Sequence, residues 1–276
     1  MPELLHLTGL PRTHLARLLQ ALSPTIQQAP GGYRVHPEEM GAVRYFLSER
    51  QPSVTPATLL STLKSVGAKR SAPKRKFDQF FATSETVQNR ALLLESLGDL
   101  EGRRVLFLGD DDLTSVACSL LGGAEQLMVA EIDADLIGLL RQTSTELDLG
   151  LEVEPTDMRK PLPKILARQF DTVVTDPPYT LDGVSLFLNR AIEALIPDLR
   201  SRIYFCYGNS DRAREREVDI QAVIAEMGLR ITQKLPYFNL YEGAESIGST
   251  SSLYLLDWTP RTHSIAHKGS RFYSFD

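Results

Sequence analysis

The stretch RRVLFLGDDDLTS, residues 103–115, joins a short apolar run to an acidic turn and to the start of a helical pattern. A continuous apolar run such as Val105–Leu108 is typical of a strand that is buried on both faces, as in parallel sheets. Six further runs of this kind lie at 127–130, 151–153, 172–174, 203–206, 229–235 and 252–256. Helical spacing of apolar residues fills most of the gaps between them. The alternation predicts an α/β fold, in which helices cover both faces of a mostly parallel sheet.

The sheet domain is predicted to be preceded by a smaller module. Seven strands, of which the last two have no long helix between them, suit a class I methyltransferase-like seven-stranded sheet. Helical spacing after Pro11, a turn at 30–32 and a second helix that opens at Pro37 indicate a partial winged-helix-like module. The predicted boundaries are 1–50 for this module, 51–76 for a linker rich in proline and basic residues, 77–258 for the catalytic domain and 259–276 for a C-terminal tail.

Composition restricts the class of protein. Of the 276 residues, 42% are hydrophobic and 24% charged, which excludes a disordered or fibrous chain. No apolar run has the length of a membrane span, so we expect no membrane association. Cys118 and Cys206 can form neither a disulfide framework nor a metal cluster, so we expect a cytoplasmic protein that requires no metal.

Charge is distributed unevenly along the chain, whose net charge is −5. Residues 1–80 carry eleven Lys and Arg against five Asp and Glu, whereas the remainder carries nineteen against thirty. An acidic body favours cationic ligands and disfavours nucleic acid, which we do not expect as a partner. In the basic N-terminal module Arg12, His14 and Arg17 could contact phosphates, but packing or dimerisation is the favoured role.

The turn after the first strand of the sheet is unusually acidic. Nucleotide-binding folds place several glycines here, whereas this turn holds Gly109 followed by Asp110, Asp111 and Asp112. Capping of the next helix would explain one or two of the aspartates. Three neighbouring carboxylates repel one another, and a cationic ligand would relieve that repulsion. The turn therefore predicts a site for a cationic ligand.

The next two strands also end in acidic residues. Glu131 follows Gly109 at the spacing at which an acidic residue meets ribose hydroxyls. Asp133, two residues later, is the favoured cap of the following helix. After the third strand, Asp157 could accept a hydrogen bond from an adenine amine while Met158 packs on the ring, although a surface turn explains Asp157 nearly as well.

The fourth strand ends in the most specific motif, TDPPYT at residues 175–180. Its two prolines stiffen the turn and direct Asp176 and Tyr179 toward the pocket. Such a turn suits reaction at an amine, because the carboxylate accepts from the N–H groups and the aromatic face stabilises a developing ammonium. The sequence therefore predicts Asp176 and Tyr179 as substrate-binding residues.

Three motifs in order resemble the branched-chain polyamine synthases, the N4-bis(aminopropyl)spermidine synthases. They are FDQFFATSET at 77–86, GDDDLTS at 109–115 and DPPYT at 176–180, and the likeness extends from about Phe77 to Trp258. The resemblance implies a methyltransferase-like catalytic domain behind a winged-helix domain, and a homodimer. It also implies transfer of aminopropyl groups from decarboxylated S-adenosylmethionine to the N4 nitrogen of spermidine, with release of methylthioadenosine.

The resemblance also implies roles for individual residues. Asp111 would act as the general base and Asp176 would orient the amine. The remaining candidates would bind the decarboxylated donor as co-substrate: Gln79, Gly109, Asp110, Asp112, Glu131 and Asp157. Two alternatives stay open, namely an S-adenosylmethionine-dependent amino-methyltransferase acting on nucleic acid, which shares the Asp-Pro-Pro-Tyr motif, and a regulator that senses polyamines.

Overall fold

The structure is a computed structural model, and it describes residues 19–30, 32–40, 54–209, 211–243, 249–266 and 272–273. The chain forms two compact units, Met1–Pro52 and Ser53–Asp276. Within the described ranges, no helix combines the length and the apolar character needed to cross a lipid bilayer.

The first unit contains a β-hairpin. Strand β1 (Ile26–Ala29) pairs antiparallel with β2 (Gly32–Val35), which confirms the turn predicted at 30–32. A 3-10 turn at Pro37–Glu39 follows, and it begins at the proline as predicted. Of the helix predicted before the hairpin, residues 19–21 are described and helical. Arg12, His14 and Arg17 lie outside the described residues. The winged-helix interpretation stays a prediction.

The second unit is built on one sheet of seven strands. The strands are β3 (Arg104–Leu108), β4 (Gln126–Glu131), β5 (Glu152–Pro155), β6 (Thr172–Thr175), β7 (Arg202–Gly208), β8 (Arg230–Leu240) and β9 (Thr250–Asp257). Their order across the sheet is β5-β4-β3-β6-β7-β9-β8. Strands β3 to β7 are parallel, whereas β9 runs antiparallel to both β7 and β8. This confirms the predicted seven-stranded, mostly parallel sheet, in which no long helix separates the last two strands.

Helices cover both faces of the sheet. The described helices are α1 (Pro56–Gly67), α2 (Ser84–Ser96), α3 (Thr114–Leu121), α4 (Ala134–Glu146), α5 (Leu181–Ala194) and α6 (Asp211–Glu226). In β3, Val105 and Phe107 belong to the apolar core that includes α1 to α4, whereas Leu106 and Leu108 belong to the core that includes α5 and α6. All four side chains are fully buried. Burial on both faces explains the continuous apolar run.

The linker predicted for residues 51–76 is wrong over 56–67, where the chain forms α1. Thr55 caps this helix by accepting a hydrogen bond from the Thr58 N–H, and Pro56 occupies the first helical position. Proline is tolerated there because that N–H has no intrahelical partner, so Pro56 starts the helix rather than interrupting it. Leu59 and Leu63 are buried in the core, which makes this segment part of the domain.

Candidate active site

A cleft opens where strands β3, β4 and β6 end. Because β4 and β6 flank β3 on opposite sides, this is the point where the strand order reverses, and open α/β sheets bind their ligands there. The lining residues are Phe77, Asp78, Gln79, Gly109, Asp111, Ala130, Glu131, Ile132, Thr156, Met158, Asp176, Pro178, Phe187 and Tyr273.

The three aspartates of the acidic turn have three different environments. Asp110 is buried beneath the turn and caps α3, accepting from the Ser115 N–H at 3.2 Å and from its hydroxyl at 2.5 Å. Burial raises the pKa of Asp110 to about 8, so this side chain is largely protonated at neutral pH. The Asp110 carboxylate thus accepts from the first turn of α3 and is not among the residues that line the cleft, and its contact with the donor stays a prediction.

Asp112 points away from the cleft. Its carboxylate accepts from Arg90 Nη1 at 2.6 Å and from the Ala82 N–H at 2.5 Å, and all three residues are buried. The side chain of Asp112 thus forms an internal ion pair, and its contact with the donor stays a prediction. Gly109 lines the cleft, and its φ of +69° is one that glycine adopts without strain.

Asp111 is the member of the triplet that faces the cleft. Its backbone carbonyl accepts from Arg70 Nη1 at 2.7 Å, which fixes the turn. No group in the described part of the chain donates a hydrogen bond to its carboxylate. Burial raises the pKa of Asp111 well above its ordinary value, and the charges of Asp112 and Asp176 raise it further. A carboxylate with acidic neighbours and no donor of its own is suited to bind a cation or to accept a proton.

Asp176, which directly follows β6, is held by three hydrogen-bond donors. Its two carboxylate oxygens accept from the Tyr179 hydroxyl at 3.1 Å, from the Tyr241 hydroxyl at 2.5 Å and from Arg90 Nη2 at 2.9 Å. Burial raises its pKa, while the Arg90 charge opposes that shift. Tyr179 does not line the cleft as predicted. Its ring packs against Tyr207 with centroids 5.2 Å apart, and its hydroxyl positions Asp176 instead.

Arg90 joins the acidic turn after β3 to Asp176 after β6. It was not among the predicted site residues. Its buried guanidinium binds Asp112 and Asp176, and its Nε donates to Asn239 Oδ1 at 2.7 Å. The sequence does contain a signal for this residue. Arg90 falls at helical spacing between Val87 and Leu94, on the face of α2 that is buried. An arginine on an apolar helix face requires buried acidic partners.

Glu131 is fixed at the end of β4 by backbone donors. Its carboxylate lines the cleft and accepts from the N–H groups of Asp110 at 3.2 Å and of Ile132 and Asp133 at 2.8 Å each. Asp133 caps α4, as predicted. Gln79 lines the cleft and donates to Asp133 at 3.1 Å. These contacts fix the side chains of Glu131 and Gln79 at the cleft, and their contact with a nucleoside stays a prediction.

Two basic residues of the segment predicted as a linker, Arg70 and Lys74, stabilise the acidic turn and the residues that follow β4. No role was predicted for either residue. Arg70 binds the Asp111 carbonyl, and its guanidinium lies 4.0 Å above the Phe81 ring. Lys74 forms ion pairs with Asp133 and Asp135. The signal in the sequence was the position of the basic run, immediately before the 77–86 motif.

The Asp157 carboxylate, which lies after β5, forms an ion pair with Arg159. Arg159 donates to its two oxygens from Nε and Nη2, each at 2.9 Å, and this pairing lowers the pKa of Asp157. The cleft is lined by Thr156 and Met158 on either side of it. Asp157 itself is not among the residues that line the cleft, and its contact with an adenine amine stays a prediction, as does the packing of Met158 on the base.

Comparisons with known proteins match most of this chain to one family. A family model described as the C-terminal domain of branched-chain polyamine synthase A matches residues 58–272. An uncharacterised protein of Methanocaldococcus jannaschii is 43% identical over 174 residues, which are 63% of this chain and 44% of that protein. An N(4)-bis(aminopropyl)spermidine synthase of the same organism is 37% identical over 185 residues, 66% of this chain and 53% of that protein. The chain thus spans about half the length of these relatives.

A solved structure shows the same fold. The branched-chain polyamine synthase of Thermus thermophilus, crystallised with N4-aminopropylspermidine and 5′-methylthioadenosine, superposes with a TM-score of 0.71. The match covers 95% of this chain and 84% of that one at 24% sequence identity. The likeness confirms the sheet architecture on which the cleft is built.

Proposed function

The chain belongs to the branched-chain polyamine synthase family, and we propose that it moves an aminopropyl group from decarboxylated S-adenosylmethionine to the N4 amine of spermidine or a related polyamine. The products are a branched polyamine and methylthioadenosine. The relative from M. jannaschii that is named N(4)-bis(aminopropyl)spermidine synthase supports this activity, as do the product and nucleoside bound to the T. thermophilus enzyme. Because the chain spans about half of its relatives, the proposal rests mainly on its own cleft.

The observation that carries the proposal is the Asp111 carboxylate, which faces the cleft with no donor from the described residues. In S-adenosylmethionine the end of the donor carries a carboxylate, which Asp111 and Asp176 would repel. In the decarboxylated donor that end is only an ammonium, which they attract. A close, partly solvated pair of opposite charges is worth about 1–4 kcal/mol. The same negative charge attracts spermidine, which is a polycation.

The reaction requires a neutral acceptor nitrogen. The N4 lone pair attacks the aminopropyl carbon that is bonded to the sulfonium, an N–C bond forms, and the C–S electron pair leaves with sulfur as the neutral thioether of methylthioadenosine. Asp111 accepts the proton that the N4 nitrogen loses, and its raised pKa makes it a stronger base than an ordinary aspartate. Asp176, fixed by Arg90 and Tyr241, orients the amine for attack.

The nucleoside part of the donor is proposed to lie along the other strand ends. The Glu131 carboxylate, held by three backbone N–H groups, would accept from the vicinal ribose hydroxyls. Met158 and Thr156 line the cleft beyond it and would contact the adenine base. Gln79 would close the site from the side of the 77–86 motif.

The cell compartment and the assembly state are also proposals. Cys118 and Cys206 are free and buried, which supports a reducing cytoplasm. The family resemblance supports a homodimer. The acidic character of the chain after residue 80 supports a polyamine rather than a nucleic acid as substrate.

Calorimetry on the wild-type chain tests the choice of donor. We expect decarboxylated S-adenosylmethionine to bind at least about tenfold more tightly than S-adenosylmethionine, because a carboxylate beside Asp111 and Asp176 is repelled. Methylthioadenosine, which carries neither terminal group, is the reference for the nucleoside part of the cleft. Equal affinity for the two donors, or a preference for S-adenosylmethionine, would favour the amino-methyltransferase alternative and overturn the proposal.

A further inference from the structure

We propose that Tyr273, in the C-terminal tail, is a nucleoside-binding residue that lines the cleft together with Met158 and contacts the base. The inference rests on the proposed function only in taking the ligand to be an adenine nucleoside. The tail carries no recognised motif, and the matched family model ends at residue 272, one position before Tyr273. The contacts of the tail itself support the role of Tyr273.

A buried asparagine anchors the first part of the tail to α5. The Asn189 side chain donates from Nδ2 to the Ile265 carbonyl at 2.9 Å and accepts from the Ile265 N–H at Oδ1, also at 2.9 Å. A side-chain amide that pairs with both backbone groups of one residue fixes the position and direction of that segment. Only 2% of Asn189 is exposed, so this pairing is shielded from competing water.

A second anchor lies at the N-terminus of α5. The Thr180 hydroxyl donates to the Phe272 carbonyl at 2.7 Å while it accepts from the Gly183 N–H at 2.9 Å. A Cβ atom at Gly183 would lie 2.5 Å from the Phe272 carbonyl oxygen, a distance that no side chain could tolerate without displacing the tail. The helix start that follows the Asp-Pro-Pro-Tyr motif is thus shaped to receive residue 272.

These anchors place the Tyr273 ring in the cleft. The side chain is 5% exposed and belongs to the lining. Its ring meets that of Phe77 edge to face, with centroids 6.2 Å apart, and the Arg159 guanidinium carbon lies 6.0 Å from its centroid. Since Arg159 directly follows Met158, Tyr273 stands at the end of the cleft formed by the exit of β5. The Tyr273 and Phe77 rings and the Met158 side chain provide apolar surface in the cleft, which suits a planar base.

Calorimetry with methylthioadenosine tests this inference on the full chain. We expect Tyr273→Ala to weaken binding by about tenfold, since stacking of a base on an aromatic ring contributes on that scale. Tyr273→Phe keeps the ring and should bind within about twofold of wild type, a margin below what loss of a stacked ring costs. Tyr273→Leu keeps the apolar volume but removes the aromatic plane, so it should weaken binding although the fold is retained.

The outcomes separate this inference from the proposed function. If the wild-type chain binds methylthioadenosine and both Tyr273→Ala and Tyr273→Leu bind it equally well, the role of Tyr273 is overturned while the cleft remains a nucleoside site. If the wild-type chain binds no methylthioadenosine at all, both the proposed function and the role of Tyr273 fail. Affinity that falls with Tyr273→Ala and Tyr273→Leu and returns with Tyr273→Phe supports the inference.

Discussion

Asp111→Asn is expected to lower kcat for aminopropyl transfer by about 10²–10⁴-fold, the usual contribution of a positioned general base. The amide cannot accept the proton that the acceptor nitrogen loses, although its size and position match those of the carboxylate. Methylthioadenosine should still bind, because the contacts proposed for the nucleoside involve other residues. Steady-state kinetics combined with calorimetry separates the two effects.

Asp110→Asn provides a matched control in the same turn. Because burial raises the pKa of Asp110 to about 8, the substitution exchanges one largely neutral side chain for another at pH 7. The amide oxygen can still accept from Ser115, so α3 keeps its cap. We expect kcat to stay within about threefold of wild type, far less than the loss of a general base. Equal losses in the two variants, or full activity of Asp111→Asn, would remove Asp111 from the mechanism.

The pH dependence of kcat/KM tests the role of Asp111 as the base independently. The base is active only when it is deprotonated, so kcat/KM should rise with pH as Asp111 of the free enzyme loses its proton. Since the pKa of Asp111 is raised, this rise should occur well above pH 3.8, the ordinary value for an aspartate. A profile that is already flat above pH 5 would contradict the assignment.

Arg90→Met is expected to lower the free energy of unfolding by about 3–5 kcal/mol, the usual cost of removing one partner from a buried ion pair. The loss would leave Asp112 buried without its cation and would release Asp176 from one of its three donors. Transfer activity should fall as well, because Asp176 would no longer be fixed. Denaturant unfolding at neutral pH measures the first effect.

The double variant Arg90→Met/Asp112→Asn separates the charge from the packing. With one carboxylate neutralised, part of the lost stability should return, and the recovery measures the cost of the unpaired Asp112. The single variant should also regain stability relative to wild type at lower pH. Its uncompensated carboxylates would have raised pKa values in the folded state, so protonation would favour folding. An Arg90→Met chain as stable as wild type would show that the network is not structural.

The positions of the strand ends could be predicted from the sequence, but the directions of the side chains at those ends could not. The apolar runs placed Asp111, Glu131 and Asp176 at one edge of the sheet, and all three line the cleft. All three aspartates of the acidic turn were predicted to face one cationic ligand. In the structure Asp110 accepts from the first turn of α3 and Asp112 pairs with Arg90. These directions depend on backbone angles and on partners distant in the chain.

Residues that reach the cleft from outside the sheet were the hardest to predict. Arg90 lies on a helix that precedes β3, and Tyr241 follows β8, so only the folded chain brings them to Asp176. Tyr273 lies in a tail without a recognisable pattern. Helix α1 was not predicted, because Pro56, its first residue, is also typical of a linker. In each case the missing information was tertiary contact rather than local sequence preference.

Mass spectrometry of the products tests the central claim most directly. The wild-type chain is incubated with spermidine and decarboxylated S-adenosylmethionine, and the products are separated and fragmented, because linear spermine and N4-aminopropylspermidine have equal mass. We predict N4-aminopropylspermidine, with methylthioadenosine formed in equal amount, and no product from Asp111→Asn on the same time scale. A linear product, a methylated polyamine when S-adenosylmethionine is supplied, or no aminopropyl transfer at all would contradict the account.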